Sequence, residues 1–218
     1  TDVNLPQLTS VPDHGFRACG KLANFNMPLI TSIGICGFNG CDSIKEVDEI
    51  YLLKDGAIYK AEVSSIKKST RGNAGEKSAI INKNQEIGKI EKNEISGIYG
   101  IYSNDLEDKD LITVGEKSEI QRGEAKIRTV IKDNKIEDFS IDIMALDEAD
   151  STKNILFEIT DKKLLENTGG IVQGMSGSPI IQDGKLIGAV THVQLSNPTT
   201  AFGCYAEFML DSMGFEIE

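Results

Sequence analysis

Apolar and polar positions alternate over short stretches of this chain, and turn residues interrupt them at close spacing. A period of two predicts strands, since successive side chains on a strand face opposite sides. Residues 57–63 follow Asp55-Gly56, a hairpin-type dipeptide. Residues 95–102 are rich in β-formers, and Gly97 and Gly100 within them imply a bulge or a close backbone approach. Residues 125–131 alternate and then turn at Asp133-Asn134. Residues 139–144 alternate again, and residues 155–159 form a further strand. Ile180-Ile181 and residues 186–190 flank Asp183-Gly184 as a hairpin of buried strands. One convincing helix is expected, Ala206 to Met213, carrying Phe208, Met209 and Leu210. Residues 65–84 are polar, contain Gly72 and Gly75, and read as a long surface loop.

Many short strands with frequent turns predict an all-β chain built as a barrel or sandwich. With 218 residues and no internal repeat, the expectation is one compact unit over 1–218, in two half-barrels meeting near residue 100. A chain of this size buries enough surface to fold without a metal or disulfide.

Composition narrows the functions. Hydrophobic residues make up 39%, within the globular range. No apolar run approaches the roughly 18 residues of a membrane span. The formal net charge of -11 argues against a nucleic-acid partner and against docking on anionic lipid. It fits a soluble domain, with any membrane attachment made by segments outside this sequence. Of the four cysteines, Cys36 and Cys41 are close enough to pair across a tight loop; the favoured reading is four free, mostly buried thiols. With two histidines, His14 and His192, and no CxxC pair, neither a metal site nor a cofactor is expected.

The candidate chemistry lies in Gly174-Met175-Ser176-Gly177-Ser178-Pro179, which runs into an apolar strand. Acyl transfer needs a nucleophile on a sharp turn, with backbone N–H groups aimed at the oxygen that gains charge. Glycines on either side of Ser176 permit such a turn and leave room for a substrate carbonyl. The N–H groups of Gly174 and Ser176 would form the oxyanion hole. The stretch resembles the Gly-Asp-Ser-Gly-Gly-Pro nucleophile loop of trypsin-like peptidases. Ser176 falls on the nucleophile, and Ser178 replaces the second glycine in a structural role.

Around this motif the chain resembles the SpoIVB sporulation peptidases. The resemblance is carried by Thr160-Asp161, residues 164–179, residues 187–193 and Asn197-Pro198-Thr199. Upstream, Gly72-Asn73-Ala74-Gly75-Glu76-Lys77 is similar to that family's Gly-Asn-Pro-Gly-Glu-Lys loop, residues 11–14 to its entry segment, and residues 97–100 to a later strand. The resemblance implies a trypsin-like double β-barrel with a short C-terminal helix, and a serine endopeptidase. It further implies a protein or peptide substrate, namely a membrane protein of sporulation signalling whose cleavage releases processing of a sigma factor. The implied location is the space between forespore and mother-cell membranes. The family's membrane anchor and PDZ domain are absent from the sequence given. Ser176 matches the family's nucleophile and Asp161 the aspartate of its triad; capping of the short segment after it is the structural alternative for Asp161.

The family histidine follows Ala-Leu-Gly, one strand before the Asp-Gly turn. Here that stretch is residues 35–42, and Gly37-Phe38 is its counterpart, with Gly40-Cys41 as the other option. Neither holds an imidazole. His192, on the strand after the nucleophile hairpin, is the substitute candidate, ahead of His14. Loss of the base costs a serine peptidase on the order of a million-fold in turnover, roughly 8 kcal/mol. The expectation is therefore a weak or inactive peptidase. The alternatives are a catalytically dead relative that binds partner peptides, for instance along an edge strand of the barrel, and a structural β domain with a vestigial motif.

Overall fold

The computed structural model describes residues 2–5, 7–12, 15–22, 24–26, 32–33, 56–94, 97–103, 111–147 and 152–215. The chain divides into two units, residues 1–51 and 52–218. In the first, β1 (Asp2–Asn4) pairs in parallel with β3 (Asn24–Asn26), and β2 (Ser10–Val11) with β4 (Ser32–Ile33). Val11 and Leu22 are buried there.

The second unit opens with a three-stranded antiparallel sheet of β5 (Gly56–Lys67), β6 (Glu76–Glu94) and β7 (Gly97–Tyr102). A closed barrel follows: β8 (Gly123–Val130), β9 (Ile136–Leu146), β10 (Ile155–Ile159), β11 (Pro179–Gln182), β12 (Lys185–Val193) and β13 (Thr200–Tyr205), in the order β10-β13-β12-β11-β8-β9. Helix α1 (Lys162–Thr168) joins β10 to β11, and α2 (Ala206–Met213) follows β13. The all-β expectation holds: a closed barrel, a second sheet and two short helices, consistent with a trypsin-like fold. No helix among the described residues is long and apolar enough to cross a membrane.

Alternation builds the barrel core. Ala125, Ile127 and Thr129 of β8 and Phe139, Ile141 and Ile143 of β9 are buried, while the residues between them are exposed or half-buried. Ile155, Phe157, Ile180, Val190 and Tyr205 complete the cluster from the other strands. Each fully buried aliphatic or aromatic side chain contributes about 1.5–3 kcal/mol through removal of apolar surface from water. At the β11–β12 hairpin, Asp183 (φ 51°) and Gly184 (φ 78°) both take the left-handed conformation, as a two-residue type I′ turn requires.

Three expectations need correction, and the cysteine reading holds in part. Residues 65–84 are mostly strand: β5 continues to Lys67, β6 begins at Glu76, and the loop between them spans only 68–75. Residues 78–86 are exposed throughout, so no alternation marked them; backbone pairing with β5 holds them. Helix α1 adds to the single helix expected, being too short to display a period. Cys19 is exposed, whereas Cys204 is buried and its thiol pKa is raised by desolvation; both are free, and Cys36 and Cys41 lie outside the described residues. Every barrel strand is paired on both sides, so edge-strand docking has no barrel strand to use. The sheet's outer strands are β5 and β7, and β5 is bridged at Val63 by Asp133.

Candidate active site

The chain reaches the motif through α1. Asp161 caps this helix: its backbone is extended, and Leu164 N–H donates to its Oδ1 at 2.9 Å. The helix ends at Gly169 (φ 72°) in a left-handed cap. Gly170 (φ 147°) passes so close to Pro198 that an added Cβ would lie 2.3 Å from its carbonyl oxygen. Ile171 N–H then donates to Pro198 O at 2.9 Å.

Residues 172–178 form a tight double bend. Met175 N–H donates to Val172 O at 3.1 Å, and Ser178 N–H to Met175 O at 3.0 Å. Gly177 N–H donates to Val190 O at 2.8 Å, and Val190 N–H to Ser178 O at 3.0 Å, which fastens the bend to β12. Gly174 (φ 91°) and Gly177 (φ 81°) hold the left-handed conformations that the two reversals require. The Met175 side chain is fully buried in the barrel core, which turns Ser176 outward into solvent.

The Ser176 hydroxyl donates to Thr191 O at 3.4 Å, a long contact with a group that cannot take up a proton at neutral pH. Among the described residues, the N–H groups of Gly174 and Ser176 have no hydrogen-bond acceptor. The Ser178 hydroxyl is buried and donates to Thr129 Oγ1 at 3.0 Å.

His192 is an exposed residue of β12, next to Thr191. The β12–β13 register shifts at Thr191, a bulge braced by its hydroxyl, which lies 2.6 Å from Thr152 O and 3.2 Å from Phe202 O. Gly174 and Ser176 thus share one bend, and Asp161 heads the helix that leads into it. Phe38, its alternative Cys41, and His14 lie outside the described residues.

One residue beside the bend was read from sequence only as part of a family-like loop. Lys77 N–H donates to Gln173 O at 2.8 Å, and Gln173 N–H donates to Gly75 O at 3.3 Å. The Lys77 side chain runs past Gly174 and ends on Thr129 Oγ1 (3.2 Å) and Val130 O (3.1 Å). Burial holds its pKa below the ordinary lysine value. A lone lysine among polar neighbours carries no sequence signal of burial.

No curated protein and no solved structure matches the chain. A family model does: SpoIVB peptidase S55 matches residues 34–210, which takes in the sheet, the whole barrel, α1 and the Ser176 bend. The chain belongs to the SpoIVB peptidase S55 family.

Proposed function

We propose that this chain is a SpoIVB-type serine peptidase domain in which the nucleophile bend is built but the proton acceptor is missing, so that hydrolysis is weak or lost while peptide binding persists. The single observation that carries this reading is the Ser176 bend: the serine is exposed, its hydroxyl donates to a carbonyl rather than a base, and among the described residues the Gly174 and Ser176 N–H groups have no acceptor. Gly174 and Ser176 N–H serve as the oxyanion hole. Asp161 takes the place of the family's orienting carboxylate; among the described residues its Oδ1 accepts only the cap bond. Phe38 stands where the family keeps its histidine. A serine hydroxyl without a base is a poor nucleophile at neutral pH, and the residual rate from binding and oxyanion stabilisation is about 10³–10⁴ over water. By family the partner is a signalling membrane protein of sporulation, met between the forespore and mother-cell membranes.

A fluorophosphonate probe tests the reading, because it labels only an activated serine. The expected result is very slow labelling of Ser176, accelerated by Phe38→His and abolished by Ser176→Ala. Rapid labelling of the unaltered chain would refute the missing base; if His192→Ala then stopped it, the base would be His192. A folded Phe38→His variant with no gain would count against the alignment of Phe38 with the family histidine.

A further inference from the structure

Four ties join the 68–75 loop and the start of β6 to the segments around the bend. Ser69 donates to Thr168 O from both its N–H (2.7 Å) and its hydroxyl (3.1 Å). Gly72 N–H donates to Leu195 O at 2.8 Å. The third and fourth are the paired bonds between Gln173 and Gly75 and between Lys77 and Gln173. Gly75 (φ 64°) lets the loop close on itself, since an added Cβ would fall 2.4 Å from Lys67 O and 2.6 Å from Ser69 N.

Lys77 is where these ties reach the bend itself. A Cβ placed on Gly174 would lie 3.2 Å from Lys77 Cβ and 3.5 Å from its Cε, so the aliphatic stem walls one side of Gly174. The ammonium bonds to Thr129 Oγ1, which also accepts from the Ser178 hydroxyl. Gly174 and Ser178 stand two residues either side of Ser176. One lysine therefore touches the first directly and the second through a single threonine.

We propose that Lys77 is a positioning residue for Ser176: its stem fixes the Gly174 backbone and its ammonium, through Thr129 and Ser178, fixes the far side of the bend. This rests on the peptidase reading for its purpose but not for its geometry. Burial of the ammonium, which lowers its pKa, is the cost of placing a donor there rather than an apolar side chain. An apolar side chain of equal length would fill the same space but take the ammonium away from Val130 O and from Thr129 Oγ1, which would keep only the Ser178 hydroxyl as donor.

The test uses the whole chain and a readout that needs no activity, amide hydrogen exchange resolved at Gly177 and Ser178. Lys77→Met is expected to speed exchange at these two amides by about tenfold or more, as local opening does. Strands β9 and β10 should be unchanged, and Lys77→Arg should recover most of the protection. Thr129→Val should reproduce the effect of Lys77→Met, and covers the case in which Lys77→Met fails to fold. Lys89→Met, at an exposed position of β6, should change nothing. Unchanged exchange at the bend in folded Lys77→Met and Thr129→Val variants would overturn the proposal, as would an equal rise throughout the barrel. Fluorophosphonate labelling of Phe38→His with and without Lys77→Met is the second arm, with a tenfold or larger loss expected. If Phe38→His does not label, the peptidase reading fails, and the exchange result still decides the role of Lys77.

Discussion

Met175 and Ser176 are neighbours in the chain and opposites in environment, one fully buried and the other facing solvent. That contrast needs the backbone to reverse twice in a few residues, which the left-handed Gly174 and Gly177 provide. Gly174 is the more constrained, because Lys77 stands beside it while the space around Gly177 is open. Gly174→Ala is therefore expected to cost about 1–3 kcal/mol, from backbone strain plus displacement of the lysine stem. Denaturant titration should show that loss, and labelling of Ser176 in the Phe38→His background should fall with it. The bend was legible from six residues, since few sequences place two glycines and a proline around a serine before an apolar strand. Lys77 was not, because burial of a charged side chain depends on neighbours far away in sequence, here Thr129, Val130 and Gly174.

Among the elements, α1 carries the sharpest test. Its cap falls on Asp161, the carboxylate proposed above for the orienting role. Asparagine caps about as well as aspartate, whereas alanine does not, at a cost of roughly 1 kcal/mol. Asp161→Ala should lower stability by about that amount and Asp161→Asn should leave it unchanged, measured by thermal or denaturant unfolding. In the Phe38→His background the reading of Asp161 as the orienting carboxylate expects Asp161→Asn to slow labelling sharply. Equal rates in Asp161→Asn and its parent would assign Asp161 to the cap alone. Strands with one wet face, such as β8 and β9, announced themselves by alternation. The exposed part of β6 did not, since it is held by backbone bonds to β5. Strand β13 was missed for a related reason: buried along nearly its whole length, with Gly203 so close to Ile180 that an added Cβ would meet Cδ1 at 2.4 Å, its apolar run has no period to read.

At the scale of the molecule, charge is spread over the outside of the barrel. Arg128 of β8 and Asp138 of β9 face each other across the strand pair, with Nε 2.7 Å from Oδ1 and Nη2 3.0 Å from Oδ2. The hydrogen bonds from Arg128 hold the Asp138 pKa below its ordinary value. Such a group stabilises the fold above its unfolded pKa of about 3.9 and loses that contribution as pH falls through the lower folded value. Arg128→Met should therefore narrow the stability gap between pH 7 and pH 2, by no more than about 1 kcal/mol for so exposed a pair. Unfolding curves at both pH values for the two proteins test this. The barrel itself has a consequence of order in time. Strand β13 lies between β10 and β12 and emerges from the ribosome after all the other barrel strands. A nascent chain stopped before Thr200 holds two unsatisfied rims where the finished cylinder has none, so assembly waits for the final strand and any truncation ahead of it leaves a surface ready to pair with other chains.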